Sequence, residues 1–186
     1  MAISKNNIAT LGLMGRIGSF VFRQWYGKTV VAKKQSPYYS SSPAQSSHRQ
    51  LFKRASLYAK NVMLHPELLQ FYQSRIRGGQ RAYNLALADY FHPPQIIQVD
   101  TSAFNGSAGS TITTKVTDNG KVVSVMVRIE KADGNLLEEG NAIQQEDGLH
   151  WKFSVSNHHI QQGTIIKVIA IDLAGRSSVS EIMLES

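Results

Sequence analysis

A strict alternation of apolar and polar residues runs through the second half of the chain. From Val123 to Glu130, apolar residues at odd positions are separated by mostly polar ones, which is the period of a half-buried strand. Ile166, Val168 and Ala170 form a second such row. Residues 96–186 are therefore expected to be all-β. The pattern predicts strands at residues 96–100, 110–117, 122–131, 149–156, 164–172 and 177–184, with a weaker strand at 136–144.

Between residues 43 and 91 the apolar residues follow a helical period instead. Ser42 is suited to cap a helix that has Pro43 at its first position. Apolar residues at spacings of three and four then predict one buried helix face. This stripe consists of Leu51, Ala55, Tyr58, Ala59 and Val62.

Two further helices are predicted, one from Pro66 and one from Gln80. The run His92-Pro93-Pro94 ends the helical region, because proline cannot continue a helix. We expect the domain boundary at this point, with a basic region over residues 1–92 and a sandwich over residues 96–186.

A β-hairpin is predicted over residues 15–35. Alternating residues around Phe20 and Phe22 form its first strand, and Tyr26-Gly27-Lys28 supplies the reversal. Residues 36–42 are rich in Ser and Pro without periodicity, which predicts a linker. Two strands alone are marginally stable, so we expect the hairpin to be an arm. The predicted fold class is α+β with two domains, a hairpin arm plus helices followed by an all-β sandwich.

The net charge changes sign at the same boundary. Residues 1–95 contain 13 Lys and Arg against only Glu67 and Asp89, a net charge of +11. Residues 96–186 have a net charge of −4. A strongly cationic half is typical of proteins that bind nucleic acid, lipid headgroups or an acidic protein surface.

Composition excludes several functional classes. The 186 residues include no cysteine, which excludes disulfides, thiolate metal sites and cysteine nucleophiles. The longest apolar stretch near the start, Ile8 to Gly15, is too short to span a bilayer and precedes no cleavage site of the signal-peptide type. We therefore expect synthesis in the cytoplasm without a signal peptide, and no membrane span.

No motif in the chain predicts catalysis. The glycine-rich run Gly12–Gly18 lacks the Gly-Lys-Ser/Thr ending of a phosphate loop. His158 and His159 would point to opposite faces of a strand, so exposed loop histidines are a better interpretation than a metal site. The acidic segment Glu138–Asp147 lacks the residue order of a calcium loop, which favours a solvated acidic edge. We expect no catalytic residue, no metal and no cofactor.

The stretch from Ile96 through Gly175 resembles the bacterial immunoglobulin-like modules found in large surface and secreted proteins. The resemblance rests on VVSVMVRIEKADGNLLEEGNA, on LHWKF with its Trp151, and on VIAIDLAG, which ends in the turn Asp172–Gly175. About seven short strands with turns roughly every 8–12 residues are also the pattern of such a sandwich. The cysteine pair of antibody domains is absent, so the resemblance implies only the architecture, with Trp151 as its core anchor.

The first half resembles a family of small bacterial proteins. They share a G-x-x-G-x-x-V-F-R pattern followed by G-K-x-V-V, and a helix that starts with A-Q-x-x-x-R-x-x-F. The resemblance implies no activity. The matching residues are Gly15, Gly18, Val21, Phe22, Arg23, Gly27, Lys28, Val30, Val31, Ala44, Gln45, Arg49 and Phe52.

The residues best suited to an anionic partner lie in the hairpin and in the first helix. Cations interleaved with aromatic rings suit single-stranded nucleic acid, because phosphates pair with the cations and bases stack on the rings. The alternatives are that the aromatic residues pack the hairpin onto the helices and that the cations form a solvated face. The predicted binding residues are Arg23, Trp25, Lys28, Lys33, Lys34, Arg49, Lys53 and Arg54.

These features together predict a non-catalytic structural or interaction protein. An immunoglobulin-like module has no chemistry of its own and usually serves as a spacer or adhesive unit. Coupled to a basic half, it suits a component or loaded cargo of a phage-tail-like or contractile injection particle, held on an acidic protein surface of that assembly. Nucleic-acid binding through the hairpin and the first helix is the alternative. A free-standing adhesin is a third hypothesis, weakened by the missing export signal.

Overall fold

The structure is a computed structural model that describes residues 2–4, 8–10, 12–34, 42–156 and 163–184. These residues form a mixed α+β fold with three helices and three four-stranded antiparallel sheets. The chain divides into two compact units, residues 1–46 and residues 47–186.

The first unit contains one small sheet. Its strands are β1 (Ala2–Ser4), β2 (Gly15–Ile17), β3 (Phe20–Trp25) and β4 (Lys28–Lys33), in the order β1-β4-β3-β2. β3 and β4 form the predicted hairpin, and the short strands pair with its two edges. The hairpin is therefore part of a sheet and not an isolated two-stranded arm. Of the predicted linker 36–42, only Ser42 lies within the described residues.

The turn between β3 and β4 consists of two residues. Tyr26 has a φ of 48° and Gly27 a φ of 70°. Positive φ at both central positions is the pattern of a type I′ turn, whose twist matches that of the flanking strands. The predicted reversal was one residue too long, because Lys28 belongs to β4 and pairs with Trp25.

Three helices follow, α1 (Pro43–Leu64), α2 (Pro66–Gln73) and α3 (Ala82–Phe91). The predicted cap at Ser42 is confirmed. Its Oγ accepts the Gln45 amide proton at 3.2 Å, and the Gln45 side-chain oxygen accepts the Ser42 amide proton at 3.1 Å, which together form a capping box. The predicted apolar stripe of α1 is buried at Ala55, Ala59 and Val62.

The strands after residue 94 form two antiparallel sheets, in the orders β5-β6-β10-β9 and β12-β11-β7-β8. Each predicted strand is present. The weak segment 136–144 contains two strands that belong to different sheets. The strands are β5 (Gln95–Asp100), β6 (Thr111–Thr117), β7 (Val122–Glu130), β8 (Leu136–Asn141), β9 (Ile143–Gln144), β10 (His150–Ser154), β11 (Ile165–Asp172) and β12 (Ser177–Met183).

The inner faces of these two sheets share one apolar core, as in a sandwich. Alternate residues of each strand contribute to it, such as Ile112 on β6, Val127 on β7 and Val168 on β11, all fully buried. Trp151 on β10 belongs to the same core and is 6% exposed, so its predicted burial is confirmed.

Candidate functional site

The register of the first sheet places some of the predicted cations on one face. Successive strand residues point to opposite faces, so Arg23 and Trp25 of β3 share a face, and Lys28 joins them because it pairs with Trp25. Arg16 of β2 pairs with Val21 and lies on this face as well. We call Arg16, Arg23, Trp25 and Lys28 the basic face. All four residues are exposed.

Lys33 lies on the opposite face of the same sheet. It pairs with Phe20, which in turn pairs with Ile17, and these two apolar side chains are 51% and 59% exposed. Lys34 follows the end of β4, where its amide donates to the Ser19 carbonyl at 2.7 Å. The structure therefore brings together Arg23, Trp25 and Lys28 but not Lys33 and Lys34.

Two exposed aromatic rings stand at the turn end of the basic face. Trp25 is 60% exposed and Tyr26 is 82% exposed, with their ring centroids 5.8 Å apart. Thr29 holds the strand next to this turn in place. It is buried, and its hydroxyl donates to the Thr10 carbonyl at 2.7 Å. The same hydroxyl accepts a bond from the Gln24 amide at 2.8 Å. The rings are thus presented on a braced turn.

The predicted helix residues lie on the solvent side of α1. Arg49, Lys53 and Arg54 are all exposed, and none of them takes part in an ion pair among the described residues. Arg49 and Lys53 are four residues apart and share one stripe, whereas Arg54 is about 100° further around the helix. These three cations belong to the second unit, whereas the basic face belongs to the first.

Sequence reasoning missed a buried hydrogen-bond network in the second unit. Tyr72 is 2% exposed, and its hydroxyl donates to Asp89 Oδ2 at 2.6 Å. The Tyr58 hydroxyl lies 2.8 Å from that of Tyr72 and must donate to it, because the Tyr72 proton is already engaged. The sequence did contain one indication that Asp89 is buried, because Ala82, Ala86 and Asp89 follow the spacing of a buried helix face.

The turn between β6 and β7 packs directly against this hydrogen-bond network. The Arg75 Nη1 atom donates to the carbonyl oxygens of Asn119 and Gly120, at 3.1 and 2.6 Å. Gly120 leaves no room for a side chain, because a Cβ atom there would lie 2.3 Å from Asp89 Oδ1. The helices and the strands of the second unit are therefore interlocked at this point.

Two further carboxyl groups lie beside Asp89. Asp118 accepts the Gly120 amide proton at 3.0 Å, and Asp172 accepts the Arg176 amide proton at 2.7 Å. We call Asp89, Asp118 and Asp172 the carboxyl cluster. Each has one buried oxygen without a hydrogen-bond partner among the described residues, namely Asp89 Oδ1, Asp118 Oδ1 and Asp172 Oδ2.

Burial determines the ionisation of this region. It raises the pKa of Asp89, of Asp118 and of Asp172, the last to about 6. The charge of Asp118 further raises the pKa of Asp89, and the charges of both raise that of Asp172. Burial also raises the pKa of Tyr58 and of Tyr72, so both phenols stay protonated.

A cleft of about 630 Å³ opens beside Asp89 of the carboxyl cluster. Its polar lining includes Arg75, Arg77, His92 and Asn119, together with Asp89 and Tyr72. Among the described residues, no group of three His, Asp or Glu side chains is placed to hold a metal ion.

The other sequence candidates lie elsewhere. In the segment Glu138–Asp147, Glu139 pairs with Arg128 at 2.8 Å. Asp147 accepts main-chain protons from His150 and Leu149, and the His150 amide in particular lowers the pKa of Asp147 to about 2. His158 and His159 lie outside the described residues.

Comparisons with known proteins give little similarity. No protein-family model matches the chain, and no curated protein matches it. Among solved structures, the crystal structure of CopC from Methylosinus trichosporium OB3b is similar, with 17% identity and a TM-score of 0.36, over 50% of this chain and 93% of that chain. At this TM-score the similarity supports neither a fold assignment nor a function. None of the helices in the described part of the chain is long and apolar enough to cross a membrane.

Proposed function

We propose that this is a non-catalytic interaction protein that binds an acidic protein surface of a larger assembly through its basic N-terminal half. The observation that supports this most is the charge of the first unit. Residues 1–46 contain six Lys and Arg and no Asp or Glu. No carboxylate within the unit can neutralise these cations, and the basic face carries three of them on the same side of the sheet as an exposed tryptophan.

The residue types of the basic face fit a protein partner. Trp, Tyr and Arg are enriched at protein interfaces and supply most of the binding energy there. Uncompensated cations would steer the unit towards an acidic surface and make the association rate depend on salt. The assembly that we favour is a phage-tail-like or contractile injection particle, with the protein as a component or cargo.

We further propose that residues 96–186 form an immunoglobulin-like module, and a domain separate from residues 1–92. The strand orders support it. If β5, β6, β7, β10, β11 and β12 are taken as strands A, B, C, E, F and G, both sheets follow the immunoglobulin arrangement. One feature differs, because Trp151 lies on β10 and not on the strand that corresponds to C. Such a module would act as the spacer or adhesive part.

Nucleic-acid binding is the second candidate. It is favoured by the Trp25 and Tyr26 rings, which are exposed side by side among cations, because bases of single strands stack on such rings. In this case the partner is a phosphate backbone with unpaired bases, and the affinity falls steeply with salt.

A triple charge reversal tests the proposal. We expect R16E/R23E/K28E to lose co-sedimentation with nuclease-treated particles from the source cells at about 0.15 M salt, where exposed charges still act over ~8 Å. The matched control, K115E/K131E/K152E, makes the same change in charge on the second unit and should co-sediment like the wild type.

Fluorescent single-stranded oligothymidylate separates the two candidates. The proposal predicts no tight binding of this probe at about 0.15 M salt, and co-sedimentation that survives nuclease. Tight binding with a log–log salt slope near 0.7 per phosphate contact, lost in R16E/R23E/K28E, would instead favour nucleic acid. If the triple variant behaves like the wild type in both assays, the basic face is only solvated.

A further inference from the structure

The carboxyl cluster lies at the contact between the helical segment, residues 47–91, and the sandwich. Asp89 comes from α3, Asp118 from the turn directly after β6 and Asp172 from the end of β11. Asp89 is 4% exposed and Asp172 is 2% exposed, yet each has a buried oxygen without a partner among the described residues. An ionised carboxylate with an unsatisfied oxygen is costly inside a protein, whereas a proton on that oxygen removes the charge.

The surrounding groups do little to neutralise three negative charges. From α1 and α2 the cluster meets the phenols of Tyr58 and Tyr72, which are neutral. Arg75 and His92 lower the pKa of Asp89 and of Asp118, but less than burial raises it, and Arg75 also donates to two main-chain carbonyls.

The turn after β11 provides no further neutralising charge. Arg176 donates only its main-chain amide to Asp172, and its guanidinium lies 5.1 Å from the ring centroid of Tyr90. Deprotonation of the cluster therefore leaves like charges on both sides of the contact, Asp89 on the helical side and Asp118 and Asp172 on the strand side, where they act on one another.

We propose that the carboxyl cluster is a pH-sensitive latch that holds the helical segment on the sandwich when protons occupy its unpartnered oxygens and weakens as they leave. Both sides of the contact depend on the same groups. The helical segment reaches it through Tyr72, Asp89 and Arg75, and the sandwich through Gly120 and Leu173, which packs on the helical core. Repulsion within the cluster therefore acts directly on the contact between the helical segment and the sandwich.

The direction of the pH effect follows from linkage. A carboxyl group whose pKa is higher in the folded state binds more protons there, so folding is favoured at low pH and loses this contribution as the pH rises through the folded pKa. For Asp172, a change from 3.8 to about 6 predicts a loss of roughly 30-fold in the folding equilibrium constant between about pH 4.5 and pH 8.

The test is equilibrium unfolding of the full chain in urea over that pH range. We expect D172N to remove roughly this 30-fold dependence, because asparagine can still accept the Arg176 amide proton but cannot ionise. The matched control is D100N, an exposed carboxyl with a pKa below its usual range, which should leave the dependence unchanged.

Three further measurements keep the proposal open to refutation if D172N does not fold. The ¹³C chemical shift of the Asp172 carboxyl in the wild type should titrate near pH 6, and a midpoint near pH 4 would overturn the latch. Hydrogen exchange, corrected for intrinsic rates, should show α3 losing protection as the pH rises while β7 and β11 retain it. Uniform changes would overturn the assignment to this contact. Stabilisation by added Mg²⁺ or Ca²⁺ that D118N abolishes would mean that a cation, not a proton, completes the cluster.

Discussion

Trp151 lies between the two sheets of the sandwich, where its indole contributes to a core shared by both. Replacing it with alanine removes a buried ring and leaves a cavity, so we expect Trp151→Ala to lower the free energy of unfolding by about 3–5 kcal/mol. Lys152→Ala, at the adjacent exposed position, is the control and should change it by less than about 0.5 kcal/mol. Urea unfolding measures both. A loss below about 1 kcal/mol for Trp151→Ala would place the ring outside the core.

Gly120 is restricted by its neighbour and not by its own backbone angles, since its φ is not positive. We expect Gly120→Ala to destabilise the protein by roughly 1–3 kcal/mol, because the new methyl group would overlap the Asp89 carboxylate. In Asp89→Ala this obstacle is gone, so a double-mutant cycle should show a much smaller cost for the same glycine substitution. Equal costs in both backgrounds would contradict the contact.

At the scale of elements, the sequence predicts strands well wherever one face is buried. The alternation in β6, β7 and β11 predicts them directly, whereas the segment 136–144 lacks a clear period and conceals the change of sheet between β8 and β9. Helices are predicted by the spacing of their apolar residues and by the Ser42 cap.

The sequence did not predict which residues share a face of the hairpin, because the register of the two strands depends on the length of the turn. A three-residue reversal ending at Lys28 would pair Val21 with Lys33 and place Lys33 on the face of Arg23. The observed two-residue turn pairs Val21 with Ala32 and moves Lys33 to the other face. One residue in the turn therefore decides which cations can act together.

The same turn provides a test at this scale. Tyr26 adopts a positive φ, which costs most residues energy but which asparagine tolerates, so Tyr26→Asn should stabilise the hairpin by about 0.5–1 kcal/mol. In a Trp151→Phe background Trp25 is the only tryptophan, and its fluorescence reports melting of the first unit. Tyr26→Val, β-branched at the same site, is the matched control and should lower the melting temperature. A lower midpoint for Tyr26→Asn would contradict the turn type.

At the scale of the whole molecule, the division of charge was visible in the sequence, but the carboxyl cluster was not. Its members lie in three parts of the chain separated by up to 83 positions, from Asp89 to Asp172, and no local period connects them. The packing groups residues 47–91 with the sandwich in one compact unit. Division of the chain near residues 92–95 therefore stays a prediction about independent folding.

Fragments test that prediction and the origin of the pH dependence together. We expect residues 94–186 to fold cooperatively, with the circular dichroism of a β protein, because their core lies between their own two sheets. They should be less stable than residues 47–186, since Gly120 and Leu173 lose their helical partners.

Removing Asp89 and the helices that cover Asp172 should also return the Asp172 pKa towards its ordinary value. The short fragment should therefore lose the decline in stability above about pH 5 that the longer one retains. An unfolded short fragment would show that the sandwich requires the helices, and a retained pH dependence would place its source within the strands.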